Sequence, residues 1–123
     1  MARVIVTGSR YLADRSLMLH TLAAVRSQFG QDTVIVHGGA KGADTLAADC
    51  ADELGLKTEA WPADWKTHGR SAGPKRNQAM VNAGADMCIA FLVEGQPCNG
   101  TRDCARRARL ARIQTVYLPE ELR

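Results

Sequence analysis

Apolar residues along this chain fall into short β-branched runs separated by longer stretches in which they recur every three or four positions. Runs of the first kind predict strands, stretches of the second predict amphipathic helices, and their alternation predicts a parallel sheet wound by right-handed crossovers. Five strands are expected: Arg3 to Thr7 (RVIVT), Thr33 to His37 (TVIVH), Lys57 to Trp61, Met87 to Leu92 and Thr115 to Leu118. A helix from about Asp14 to Phe29 carries Leu17, Leu22, Val25 and Phe29, and Gly30 closes it. The next, about Ala43 to Leu54, puts Leu46, Ala47, Cys50 and Leu54 on one stripe and stops at Gly55. Pro62 to Gly73 is polar, turn-rich and aperiodic, which predicts a long functional loop. Pro74 is expected as the first residue of a helix to about Asn82, because its missing N–H costs nothing there. The last helix starts near Thr101. Its Cys104, Ala108 and Ala111 are spaced to face the sheet, leaving Arg102, Arg106 and Arg109 toward solvent. The fold class predicted is α/β, a Rossmann-like open parallel sheet of about five strands with helices on both faces, forming a single domain over residues 1–123.

Composition narrows this picture without changing it. With 123 residues the chain can bury a core without metal or disulfide staples. Aromatics make up only 5%, so packing rests on Val, Ile, Leu and Ala, as suits strands buried on both faces. The formal charge of +3 favours anionic partners without requiring nucleic acid, and much of the excess sits in Arg102, Arg106, Arg107, Arg109 and Arg112. Cys50, Cys88, Cys98 and Cys104 form no CxxC pair and have no flanking histidines, so reduced thiols are expected, with no metal and no cofactor. No apolar run approaches the roughly 18 residues of a membrane span and the start lacks a leader, so a cytoplasmic location is expected.

Candidate chemistry follows from where the turns fall. Open parallel sheets bind ligands beyond the carboxyl ends of their strands, where helix N-termini present unpaired N–H groups. Four unusual segments belong at that edge: Gly8-Ser9-Arg10, His37 to Asp44 (HGGAKGAD), Pro62 to Asn77, and Asn99-Gly100-Thr101. The backbone of Gly38, Gly39, Ala40, Lys41 and Gly42 has the freedom to wrap an oxyanion, and Lys41 would add charge. The competing explanation is a tight turn with close helix-to-strand packing. Asn99 or Thr101 is equally a helix cap or a phosphate contact. Trp65 is either a stacking platform for a base or a lid on the core, and Trp61 leans to the core. Arg76 and Asn77 lie near a helix start, within reach of a phosphate or ribose. Gly73 precedes them. His37 stands at the edge of the pocket, with a structural role favoured over general-base work. The arginine helix reads either as a solvated surface or as a nucleic-acid or partner surface.

Taken in order, GSR (Gly8 to Arg10), HGGAKGAD (His37 to Asp44), PADW (Pro62 to Trp65), AGPKRN (Ala72 to Asn77) and NGTRD (Asn99 to Asp103) resemble the small bacterial and phage SLOG proteins related to YspA. The resemblance spans nearly the whole chain. The same superfamily includes LOG-type phosphoribohydrolases, DprA recombination mediators and sensor domains for nucleotide signals. It implies a Rossmannoid fold and a nucleotide-like small molecule or single-stranded nucleic acid as ligand, with a homodimer as a further expectation. Arg76 with Asn77 and Met80 looks like the Arg-Lys-x-x-Met stretch of the phosphoribohydrolases, and Gly100-Thr101 looks like the Gly-Thr of their PGGxGTxxE motif. The position of the motif's glutamate is Cys104 here, and its Pro-Gly-Gly lead-in is Pro97-Cys98-Asn99. Without that carboxylate, cleavage of an N-glycosidic bond lacks its expected acid or base. Arg76, Asp44 and Asp103 are the candidate catalytic residues, with Asp64 a further possible substitute for the glutamate. The leading expectation is therefore a binding or sensor-like domain for a phosphorylated nucleoside, such as ADP-ribose, an NAD-derived signal or a nucleoside monophosphate. In it the Gly38 to Gly42 backbone and Gly100-Thr101 hold phosphates, and Arg10, Lys41 and Arg76 supply charge. Asp44, Asp64 and Asn77 orient the sugar or base.

Overall fold

The computed structural model describes residues 1–119. Its elements are β1 (Arg3–Gly8), α1 (Arg15–Phe29), β2 (Val34–His37), α2 (Ala43–Glu53) and β3 (Lys57–Ala60). They continue with α3 (Trp65–His68), a 3-10 turn (Gly69–Ser71), α4 (Ala72–Asn82), β4 (Met87–Phe91), α5 (Asn99–Leu110) and β5 (Thr115–Leu118). All five strands are parallel, in the order β3-β2-β1-β4-β5. The Rossmann-like arrangement anticipated from the hydrophobic pattern is the one observed.

The strands alternate between two apolar layers because successive side chains leave a strand on opposite faces. Val4, Val6, Ile35, Ile89 and Phe91 pack with Met18, Leu22 and Val25 of α1 and Ala47, Cys50 and Ala51 of α2. Ile5, Val34, Val36 and Cys88 pack on the other face against Met80 and Val81 of α4 and Cys104 and Ala108 of α5. Thus β1 to β3 wind outward with helices on one face, and the chain then returns to place β4 on the far side of β1 with helices on the opposite face. Connections leave β1 and β4 in opposite directions, which opens a crevice at their carboxyl ends. Gly8 ends β1 at the floor of that crevice. A Cβ there would lie 2.5 Å from Ala43 Cβ and 2.8 Å from Phe91 Cβ, so only glycine lets α2 start this close to the sheet.

Three local expectations need correction. Pro62 to Gly73 is not one aperiodic loop, since it contains α3, capped by the Asp64 side chain accepting from Thr67 N at 3.2 Å, and then the 3-10 turn. Helix α4 begins at Ala72, which puts Pro74 third in the helix, still within the turn whose N–H groups need no partner. Helix α5 begins at Asn99 rather than near Thr101, and it buries Thr101, Cys104, Ala105 and Ala108 while Ala111, just past its end, is exposed. The spacing read for Cys104 and Ala108 holds. Ala111 sits one turn too late to reach the sheet.

Candidate functional site

A cleft of about 630 Å³ occupies the crevice at the ends of β1 and β4, within the size range of small-molecule sites. Four stretches converge on it: Thr7 to Arg10 at the end of β1, Asp44 in the first turn of α2, Trp65 of α3 with Gly73, Pro74, Arg76 and Asn77 of α4, and Pro97 to Thr101 with Asp103 at the start of α5.

Its α5 wall is an open helix N-terminus. Arg102 N is the first amide to bond back, to Cys98 O at 2.9 Å, so the N–H groups of Asn99, Gly100 and Thr101 lack intrahelical acceptors. No side chain of the described residues caps them and the first turn has no acidic residue, whereas α1 is capped by Asp14 and α3 by Asp64. The capping role open to Asn99 and Thr101 is therefore not taken up. Thr101 is only 5% exposed, yet its hydroxyl has no hydrogen-bond partner among the described residues. No enclosed polar side-chain atom of the described residues is left unpartnered, so this hydroxyl opens to the cleft. Across from it, Ser9 is pinned by Ser9 N to Phe91 O at 2.9 Å, and its Oγ accepts from Tyr11 N at 3.0 Å. Arg10 lies over the Tyr11 ring, 5.1 Å from its centroid, and donates to the Tyr11 hydroxyl.

Arg76 is fixed by three bonds, from Nε to Asn77 Oδ1 at 2.9 Å and from Nη1 to Gly38 O at 2.7 Å and Trp61 O at 3.2 Å. A Cβ on Gly38 would overlap that guanidinium, so the glycine makes room for Arg76. Asn77 spends its amide on Gly100 O at 3.2 Å and Asp103 Oδ2 at 3.1 Å, tying α4 to α5. Asp103 is further held by Arg107 Nε at 2.9 Å and Arg106 Nη2 at 3.1 Å. Burial alone would raise its carboxyl, but the bonds from Arg107 and Asn77 outweigh burial and hold it below the ordinary range. An ionised carboxylate with three donors has little to offer as a proton donor.

The glycine loop is placed differently from its expected role. Gly38, Gly39, Ala40, Lys41 and Gly42 are not among the residues that line the cleft. Asp44 reaches back so that its Oδ2 accepts from Gly38 N at 2.9 Å and Ala40 N at 3.2 Å, while Gly39 N donates to His37 Nδ1 at 3.0 Å. The amides of Gly38, Gly39 and Ala40 are thus occupied by the loop's own side chains. Gly42, at φ +77°, packs against the Arg10 backbone, and Lys41 is exposed. Burial raises the Asp44 carboxyl above its usual range, partly offset by the Ala40 bond, and burial likewise lowers His37. Asp64 is also apart, since it lines a smaller hollow of about 210 Å³ with His68 and Lys75, which shares only Arg76 with the lining of the main cleft.

Of the expected site residues, the cleft thus gathers Gly8, Ser9, Arg10, Asp44, Trp65, Gly73, Arg76, Asn77, Asn99, Gly100, Thr101 and Asp103. Thr7, Pro74, Pro97 and Cys98 line it as well, although no motif singled them out. Trp65 is 60% exposed and lies over Gly73, so it is no lid on the core. Cys104, where the hydrolase motif has glutamate, is fully buried toward the sheet beside Cys88 and Thr7. Among the described residues no His, Cys, Asp and Glu group could hold a metal ion, and no helix is long and apolar enough to cross a membrane.

Residues 2–68, which include the β1 turn, the glycine loop and Asp44, match the family model described as the YspA, cpYpsA-related SLOG family. The chain belongs to that SLOG family. The Gene 61 protein of Mycobacterium phage D29 is 41% identical over 121 residues, covering 94% of this chain and 95% of the phage protein. SLOG membership suggests a nucleotide-related ligand-binding role. The stretch matched by the SLOG model ends in α3, so the α4 and α5 walls of the cleft fall in the part shared with the phage relative.

Proposed function

We propose that the cleft between β1 and β4 binds a phosphorylated nucleotide, an ADP-ribose-like or NAD-derived molecule included, and holds it without cleaving it. The observation that carries this reading is the α5 N-terminus. Three amides without intrahelical acceptors and the unpartnered Thr101 hydroxyl face one cavity, which is the donor set a phosphate requires. Ser9 and Arg10 supply the opposite wall and Arg76 adds positive charge behind it. The exposed indole of Trp65 offers a face for the base. The phosphate seat is therefore assigned to Asn99 to Thr101, not to the Gly38 to Gly42 loop.

Binding is favoured over hydrolysis by the state of the carboxylates. Asp103 is neutralised by two arginines, Cys104 points into the core, and Asp44 Oδ2 is committed to two backbone amides. A phosphoribohydrolase would release free base from a nucleotide and lose that activity on Arg76→Ala; this account expects no base release across a nucleotide panel. A single-stranded DNA ligand is the second reading, favoured by the exposed Arg106, Arg109 and Arg112. It requires affinity that falls steeply with salt, because phosphate contacts release counterions. Arg106 and Arg109 are already engaged with Asp103 and Tyr117, which weakens it.

The experiment is a thermal-shift panel of nucleotides and oligonucleotides. A ligand present at 100 times its dissociation constant stabilises the native state by about 2.7 kcal/mol. The expected result is a shift with at least one mononucleotide or ADP-ribose that shrinks to about half or less in Thr101→Val. Absence of any nucleotide shift would overturn the proposal.

A further inference from the structure

Among the described residues, Asp44 is the one carboxylate lining the cleft that is not paired with an arginine, and only half of it is used by the fold. Its Oδ2 takes the Gly38 and Ala40 amides, whereas no hydrogen bond to Oδ1 is made by any described residue. Asp44 is 6% exposed, lines the cleft, and belongs to a molecule in which no enclosed polar side-chain atom of the described residues lacks a partner, so Oδ1 opens to the cavity. A carboxylate oxygen only accepts hydrogen bonds, and it repels phosphate. Its complement is therefore a ligand group with hydroxyl or amine hydrogens placed away from the phosphate.

Position selects between these. Asp44 sits at the head of α2, beyond the end of β2, while the open amides lie on α5 beyond β4, with β1 between. The phosphate and the acceptor thus approach the ligand from opposite sides of the β1 turn, and Trp65 takes the base from the α3 side. In a nucleoside 5′-phosphate the group between phosphate and base, with two adjacent O–H donors, is the ribose 2′,3′-diol. Open α/β sheets place a ribose-binding carboxylate on this same edge. From this placement we infer that Asp44 Oδ1 accepts the ribose hydroxyls and makes the cleft selective for ribonucleotides over deoxyribonucleotides. The inference rests on the nucleotide reading above and specifies which nucleotides satisfy it.

The test titrates the purified chain with AMP, GMP, CMP, UMP and their 2′-deoxy and 3′-deoxy counterparts, in parallel with Asp44→Asn. Asparagine keeps an acceptor oxygen for the Gly38 and Ala40 amides, and the melting temperature of the variant checks that the loop is retained. Losing a hydrogen bond to an ionised group corresponds to about tenfold or more in affinity. The expected result is a ribose preference of at least about tenfold in the parent chain, shrinking to about threefold or less in Asp44→Asn. Equal affinity for ribo- and deoxyribonucleotides in the parent chain overturns this inference and leaves the nucleotide reading standing, and that comparison needs no variant. A preference that survives intact in a folded Asp44→Asn overturns it too, by assigning the sugar to another group. If neither these mononucleotides nor ADP-ribose binds, both readings fall together.

Discussion

Replacing Thr101 by valine isolates the claim that its hydroxyl is reserved for a ligand. Valine keeps the branched shape and helix behaviour of threonine, so packing against the sheet is retained and only the hydroxyl is lost. A hydroxyl enclosed without a partner costs a protein about 1–3 kcal/mol. Thr101 is 5% exposed and its hydroxyl has no partner among the described residues, but the oxygen is not enclosed and opens to the cleft. The unliganded Thr101→Val chain is therefore expected to be unchanged or up to about 1 kcal/mol more stable, a rise of up to about 5 °C in Tm for a domain of this size. The nucleotide side has the opposite sign. A hydroxyl donated to a phosphate is a charge-assisted bond worth about 1.5–3 kcal/mol, so affinity should fall by about 10- to 100-fold. Urea denaturation gives the first quantity and calorimetric titration the second. Destabilisation by more than about 1 kcal/mol would mean that the hydroxyl is bonded inside the protein. Unchanged affinity would place the phosphate elsewhere.

Other perturbations probe the walls and the frame. Gly8→Ala drives a methyl to 2.5 Å from Ala43 Cβ and 2.8 Å from Phe91 Cβ, so urea denaturation should show a loss of about 1–3 kcal/mol, with a null result contradicting the packing at the cleft floor. Trp65→Ala, at a site 60% exposed, should change stability by no more than about 0.5 kcal/mol while weakening nucleotide binding through lost stacking of about 1–3 kcal/mol; equal loss in both would return the indole to a structural role. The Arg3 guanidinium, bidentate on Glu59 at 2.8 and 2.9 Å, and then the Trp61 indole lower the Glu59 pKa to about 2. A depressed carboxyl stabilises above its unfolded value near 4.3 and stops doing so as the pH falls through about 2. With 38% of the Glu59 side chain exposed, the effect is at most about 1 kcal/mol, and it should vanish from the acid limb of the stability profile in Glu59→Gln.

The frame was readable because β1, β2 and β4 alternate between two buried layers, and their continuous apolar runs leave no other fold class with the observed helix spacing. Helix α3 was not, because one turn of Trp65 to His68 is too short for any periodicity, and all four of its residues are exposed. The cleft was legible as a set of turns at one edge, since a parallel sheet sends every strand-to-helix turn there. Its inner assignment was not. Nothing in HGGAKGAD shows that Asp44 folds back six residues to occupy the Gly38 amide, or that Gly38 is glycine to admit an arginine 38 positions away. Those are contacts between segments that meet only after the sheet has formed. Likewise Asn77 and Asp103 read as ligand groups by residue type, yet each is consumed in bonding α4 to α5.

An anionic ligand is expected to sit on the α5 N-terminus rather than in the glycine loop. A ¹⁵N-labelled chain titrated with a ribonucleoside 5′-monophosphate distinguishes the two directly. The largest amide shifts are expected at Asn99, Gly100 and Thr101, with smaller ones at Ser9 and Arg10. Shifts centred on Gly38, Gly39 and Ala40 with α5 unmoved would contradict it.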